Sequence, residues 1–217
     1  MLDNNEKIQK LLKFYLLATE LKNKIRSGWI VWNVSKERLE SVAEHIYGTC
    51  ILAIAIDSEF NLNIDLSKVV MMLVLHEIEE IKIGDLTLFD KITDDEKRII
   101  GKEAVTQVLK PLSKKDKYIE LIEEFENMQT KESIFAKMCD KLEADIQSKI
   151  YCEQGYCDMY AENVVHLLKD ERIAKMINEG AKTVADLFIE NDRLKFKEKT
   201  FEDIADFVKE MNLLELK

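Results

Sequence analysis

Three histidines, His45, His76 and His166, are the only imidazoles in the chain, and two of them stand where they could do chemistry. The stretch "LVLHEIEEIKIGDLT", residues 73–87, with Val70 and Met71 just before it, sets His76, Glu77 and Glu80 among Leu73, Val74, Leu75, Ile78 and Ile81. On a helix, residues turn by about 100° each, so His76, Glu77 and Glu80 share an arc of roughly 100°. The apolar residues cover most of the remaining circumference, which is the pattern of an interior helix. A carboxylate buried there must be neutralised by a partner or a cation. His45 shares a helical face with Val42, Thr49, Leu52 and Ile56, so it too is expected to point inward. Two imidazoles with carboxylates beside them form a donor set suited to Mn, Fe, Co, Ni or Zn, whereas Mg and Ca prefer oxygen. Periodicity alone leaves two readings open: a divalent-metal site, or core histidines satisfied by hydrogen bonds.

The elements that must position these groups read as helices throughout. One proline and six glycines in 217 residues leave few breakers, and 47% hydrophobic residues can fill a core. A first amphipathic helix is expected over "NNEKIQKLLKFYLLATELKNKI", with Ile8, Leu11, Leu12, Tyr15, Leu16 and Leu21 as its apolar stripe. "RSGWIVWNVSKER" reads as a loop stopped at Gly28. "SVAE" has the form of a capping box, so the next helix should start at Ser41 and run to about Asp57. One long apolar helix follows "NIDLS" and closes at Gly84. Further helices are expected over "TDDEKRIIGKEAVTQVLKPL", "KKDKYIELIEEFENM" and "ESIFAKMCDKLEADIQSKIY", and about two more beyond Cys157, with a break at "ENDRLKFKEKT". No repeat or long linker divides the chain, so a single all-α domain is expected.

Composition excludes several function classes. A formal charge of −10, with Lys and Arg interleaved among acids, speaks against nucleic acid as a partner. The longest apolar runs, "CILAIAI" and "VVMMLVL", are far short of a membrane span. The polar N-terminus is unlike a secretory signal, and Cys50, Cys139, Cys152 and Cys157 show no CxxC spacing. A cytoplasmic protein with reduced thiols is the expectation.

"ESVAEH", "LHEIEEIKIGDLT" and "CDKLEAD" together resemble the HD-domain metal-dependent phosphohydrolases, in the branch of 5′-deoxynucleotidases and oxetanocin-like proteins. The resemblance runs from about Arg26 to about Tyr151. It implies an HD-domain helical core over residues 26–155 and a C-terminal helical extension over 156–217. It further implies His45, His76, Glu77 and Asp140 as ligands of one divalent ion (Mn, Co, Fe, Ni, Zn or Mg), with Glu77 standing where the family has aspartate. The longer side chain moves the carboxylate outward by about one bond length. Glu80 matches the acid that orients or deprotonates the attacking water, and Asp85 a second catalytic acid. Trp29 matches an aromatic near the nucleotide sugar, and Arg26 and Arg38 are candidate phosphate contacts. Gly28 stands where some relatives have arginine. With only His166 to spare, a mononuclear site is implied, and a homodimer is common among relatives.

The function implied is removal of phosphate from (deoxy)nucleoside 5′-monophosphates, with a small phosphorylated nucleotide as partner. The alternatives are an alarmone (guanosine tetraphosphate) hydrolase, or an HD-type protein of weakened catalysis that binds metal or nucleotide. The alarmone branch has acids at the fourth and fifth positions after the histidine. Here Glu80 is followed by Ile81, and the next acid is Asp85. Asp140 rests on the resemblance alone, because the apolar stripe of its helix is Ile134, Met138, Leu142 and Ile146, and Asp140 points away from it. By the same periodicity Lys141, Glu143 and Asp145 read as a solvated face, while Ala136 and Ala144 permit close approach of another helix. Trp32, Met71 and Met72 read as packing, and His166 as structural.

Overall fold

The computed structural model describes residues 3–216. Among these residues the regular structure is helical, with one isolated antiparallel bridge between Ile25 and Ser41. The helices are α1 (Asn4–Ala18), α2 (Ser27–Val31), α3 (Val42–Phe60), α4 (Leu66–Leu75), α5 (Glu80–Ile83), α6 (Asp94–Leu109), α7 (Lys115–Asn127), α8 (Lys131–Glu153), α9 (Glu171–Asn178), α10 (Val184–Arg193) and α11 (Lys199–Glu210). Short 3₁₀ turns occupy Thr19–Asn23, Val165–Lys169 and Leu213–Leu216. Ser41 and Glu44 form the expected capping box, and Asp3, Thr93, Thr130 and Thr183 cap their helices in the same way.

Four local expectations need correction. The long apolar helix is interrupted: His76–Glu79 form turns between α4 and α5. The cause is local, since the Leu73 carbonyl takes the His76 Nδ1–H at 2.6 Å in place of a backbone N–H. The chain then tightens into i→i+3 bonds, Ile78 N to Leu75 O at 3.1 Å and Glu80 N to Glu77 O at 3.1 Å. The expected loop after Arg26 contains α2, with Gly28 inside the helix. The apolar stripe of α1 turns outward: Ile8, Leu11, Leu12, Tyr15 and Leu16 are 48–65% exposed, and only Leu21, in the 3₁₀ turn, is buried. Phe14 and Leu17 on the other side of α1 make its contacts with the core. Beyond Cys157 there are three α-helices where two were expected, and the break is confined to residues 194–198.

Helix α8 is the axis of the structure and packs against α3, α4, α7, α10 and α11. The largest core joins Met72 and Leu73 of α4, Phe125 of α7, and Phe135, Met138 and Leu142 of α8 to Ile189 of α10 and Phe201 of α11. The C-terminal helices therefore complete the main core.

Being surrounded, α8 buries polar residues as well, so the solvated face read from its periodicity is not solvated. Asp140, Glu143 and Asp145 are all buried. A hydropathy stripe locates the face that meets apolar neighbours and is blind to faces that meet charged ones. Asp145 is fully buried, and neither carboxylate oxygen has a hydrogen-bond partner among the described residues. Burial, and then the nearby Asp192, push its pKa well above the usual carboxylate value. The folded chain thus keeps a proton that the unfolded chain releases above about pH 4. Stability at this site is present below that pH and is lost as pH rises, at up to about 1.4 kcal/mol per pH unit. Asp145→Asn is expected to flatten this slope and to raise the melting temperature more at pH 8 than at pH 4. Thermal unfolding across that range checks it, and an unchanged slope would refute the assignment.

Candidate metal centre

The four donors arrive on three stretches of backbone. The Ser41 cap starts α3 so that His45 lies in its first turns, facing inward and fully buried. The interrupted segment after α4 delivers His76 and Glu77, and the middle of α8 delivers Asp140. One donor atom from each of these four residues lies within 4.8 Å of all the others. Asp140 Oδ1 stands 3.1 Å from His45 Nε2 and 3.5 Å from His76 Nε2. Glu77 Oε1 stands 3.5 Å from His76 Nε2 and 3.8 Å from His45 Nε2. The extra methylene of Glu77 has not removed its carboxylate from the cluster.

These residues fit a divalent ion. Because His76 Nδ1 donates to the Leu73 carbonyl, its Nε2 is the nitrogen left to face the cluster, and that buried atom has no hydrogen-bond partner among the described residues. Two imidazole nitrogens and two carboxylates converging in a buried pocket are the donor set of a transition-metal site. His166 lies exposed in a 3₁₀ turn and takes no part.

Charge is arranged to the same end. Burial opposes ionisation of Asp140, but Lys141, His45 and His76 outweigh it and hold the carboxyl well below its usual range. Glu77 is likewise opposed by burial, yet His76 and Arg26 lower it to about 2. Burial and Arg26 press the His45 pKa down, but the bonds to Asp140 and Glu143 prevail and raise it to about 9. A cation arriving at Nε2 therefore displaces a proton, and metal binding should tighten as pH rises. Glu80 is the opposite case: burial, then Glu77 and Asp85, push it up to about 11. Its Oε2 is buried without a hydrogen-bond partner among the described residues.

Arg26 binds this group from the other side. Its Nη1 lies 3.1 Å from Glu77, 3.6 Å from Asp85 and 3.9 Å from Glu80. Asp85 also accepts the Ser27 N–H at 2.7 Å, which ties the start of α2 to the segment after Gly84. Arg26, Glu80 and Asp85 are thus brought to the cluster.

Two of the expected substrate contacts are placed elsewhere. Trp29 is 2% exposed, stacked on Phe188 and edge-on to Tyr151, both at 5.3 Å. Its indole N–H donates to Glu40 at 2.9 Å. The ring is enclosed by protein, and it supports α2 and Glu40 behind the cluster. Arg38 has 77% of its side chain exposed and is bound to Glu44 at 2.6 Å, outside the cluster. Sequence reasoning missed Glu143 and Glu40, which meet His45 on its far side. The one signal for them is Gly48, a glycine inside an apolar helix three residues after His45, where a packing reason is to be sought.

Residues 18–185 match the family profile described as HD domain, which is more than half of the chain. The chain belongs to the HD-domain family of metal-dependent phosphohydrolases. Within that family it falls in the branch of the protein named 5′-deoxynucleotidase HDDC2, at about 30% identity. It is 33% identical to the Homo sapiens protein of that name over 145 residues, covering 66% of this chain and 69% of the relative. The Dictyostelium discoideum protein of the same name is 31% identical over 152 residues, 67% of this chain and 79% of the relative. Among solved structures, the fold is similar to a "predicted metal-dependent phosphohydrolase" from Magnetospirillum magnetotacticum. That likeness has a TM-score of 0.67 and 19% identity, and covers 96% of this chain and 94% of the other. A conserved hypothetical protein from Pyrococcus furiosus is similar at a TM-score of 0.59 and 29% identity, over 77% of this chain and 96% of that one. Among the described residues no helix is long and apolar enough to cross a membrane.

Proposed function

We propose that the protein removes phosphate from (deoxy)nucleoside 5′-monophosphates, using one divalent ion held by His45, His76, Glu77 and Asp140. The observation that carries this reading is the buried Nε2 of His76, which has no hydrogen-bond partner among the described residues and faces two ionised carboxylates with Glu80, Asp85 and Arg26 alongside. When bound, the ion would supply Lewis-acid polarisation of a phosphoryl oxygen and would acidify water. Glu80 orients the attacking water and takes its proton at the carboxylate. Asp85, held by the Ser27 N–H and Arg26, keeps Arg26 at the cluster, where the guanidinium can balance charge on the phosphate. Water adds to phosphorus as the bond to the 5′-oxygen breaks, and the proton taken by Glu80 is returned to that oxygen, so that the nucleoside and inorganic phosphate leave and Glu80 is again a carboxylate. Catalysis on this plan is mostly positioning and charge stabilisation. The four free cysteines suit a reducing, cytoplasmic setting.

The test is phosphate release after chelator treatment, with Mn, Co or Mg restored, over a panel of ribo- and deoxyribonucleoside 5′-monophosphates. Release that requires both metal and a 5′-monophosphate is expected. Including guanosine tetraphosphate separates the alarmone reading, and equilibrium binding of the same nucleotides separates a binding protein from an enzyme. A homodimer remains part of the proposal. A single species of 25.3 kDa in sedimentation at micromolar concentration would remove it.

A further inference from the structure

Helix α8 holds both nitrogens of the His45 ring. Asp140 Oδ1 meets Nε2 at 3.1 Å, and one turn further along Glu143 Oε2 meets Nδ1 at 2.5 Å. His45 is completely buried and Glu143 is 9% exposed, so the ring and its second carboxylate are enclosed together. Opposite Glu143, on the same helix as His45, stands Gly48. A Cβ built there would lie 2.9 Å from Glu143 Cδ and closer still to Oε1. A glycine within a helix is unfavourable relative to alanine, and α3 keeps one at this position. The room it leaves is filled by the Glu143 carboxylate.

We propose that Glu143 is a positioning residue for the metal centre, and that Gly48 is glycine to admit its carboxylate. Glu143 accepts the Nδ1 proton of His45, fixing the ring so that Nε2 faces Glu77 and Asp140. A carboxylate in this position also makes the imidazole a stronger donor to a metal. The arrangement is asymmetric: His76 makes the equivalent bond to a neutral carbonyl, that of Leu73. His45 is thus the ligand whose outer nitrogen is held by a carboxylate, and Glu143 is the side chain that supplies it. The proposal rests on the assignment of His45, His76, Glu77 and Asp140 as metal ligands.

The test is titration of the chelator-treated full chain with Co²⁺, followed by calorimetry and by the visible absorption of the bound ion. Glu143→Ala and Gly48→Ala are each expected to weaken Co²⁺ binding about 10- to 100-fold and to alter the absorption band. Glu143→Gln, whose amide oxygen still accepts the Nδ1 proton, should restore much of the affinity lost in Glu143→Ala. Gly48→Ala is the decisive variant, because alanine favours the helix while displacing the carboxylate from His45. Its melting temperature without metal should fall as well, because the buried Glu143 carboxylate loses its partner, so the reading that counts is the affinity together with the absorption band of the bound ion. His45→Ala separates the two levels of the argument. If the wild-type chain takes up no Co²⁺, the metal assignment itself fails. If the wild type binds one equivalent, His45→Ala does not, and Gly48→Ala and Glu143→Ala bind like wild type, only the role of Glu143 is overturned. Two equivalents in the wild type, reduced to one by Glu143→Ala, would make Glu143 a ligand of a second ion and overturn the positioning role. A melting temperature lowered in Gly48→Ala with unchanged affinity would make the glycine purely structural.

Discussion

Glu80→Gln is expected to reduce metal-dependent phosphate release from a 5′-monophosphate by about 10²- to 10⁴-fold, the range for loss of a general acid–base group. Affinity for the metal should stay close to that of the wild type, because Glu80 is not among the four converging donors. The substitution keeps the shape of a side chain that is buried beside Ile81 at the start of α5 and removes only its capacity to take a proton. With the protein's own charges alone, Glu80 is protonated up to about pH 11, through burial and the neighbouring Glu77 and Asp85. A divalent ion close by favours its ionised form and brings that value down. A base acts only when deprotonated, so the wild-type rate should climb with pH along a limb that the glutamine variant lacks. Paired pH–rate profiles, with Mn²⁺ titrations of both proteins, decide the matter. Full activity in Glu80→Gln would transfer the base role elsewhere, with Asp85 the next to be replaced.

Arg26→Met should unfold the protein far more readily. Three carboxylates depend on this one guanidinium, at 3.1, 3.6 and 3.9 Å from its Nη1. Removing the cation from a buried group of acids costs roughly 3–5 kcal/mol, because the remaining charges stay desolvated. For a chain of this length that is a fall in melting temperature of about 6–20 °C. Glu77 is ionised and Glu80 carries its proton at both pH 5 and pH 8, so the deficit should be similar at the two values. Added Mn²⁺ should recover part of it by supplying the missing positive charge to the folded state alone. Scanning calorimetry of both proteins at the two pH values, with and without Mn²⁺, measures all three effects. A fall of less than about 2 °C at pH 8 would mean that Arg26 does not neutralise these acids.

The residues legible from the sequence were those whose environment is set by their own helix. His45 on an apolar face and His76 with Glu77 and Glu80 on one arc could be placed inward by geometry, and the Ser41 capping box fixed where α3 begins. Asp140 could not be read this way. Its burial depends on imidazoles from α3 and from the segment after α4, which no period within α8 encodes. The same holds for Glu143 and Asp145, where apolar periodicity suggested water and tertiary structure supplied protein. The interruption at His76–Glu79 was invisible to hydropathy because it turns on one ring nitrogen bonding to a carbonyl three residues back. Helix α1 failed in the other direction, since periodicity shows which residues share a face and not whether anything covers it. Trp29 and Arg38 came from resemblance, and neither the enclosure of the ring nor the pairing of Arg38 with Glu44 was written in the motif.

The part of the chain that is recognisable by descent and the part that can stand by itself do not end at the same residue. A polypeptide stopped at residue 185, where the match to the HD domain ends, would lose Ile189, Phe196 and Phe201. Their departure would leave Met138 and Leu142 facing water on the same helix that presents Asp140. Shortening the protein to its homologous region would therefore loosen the one rod from which the aspartate hangs, and any minimal version has to retain α10 and α11.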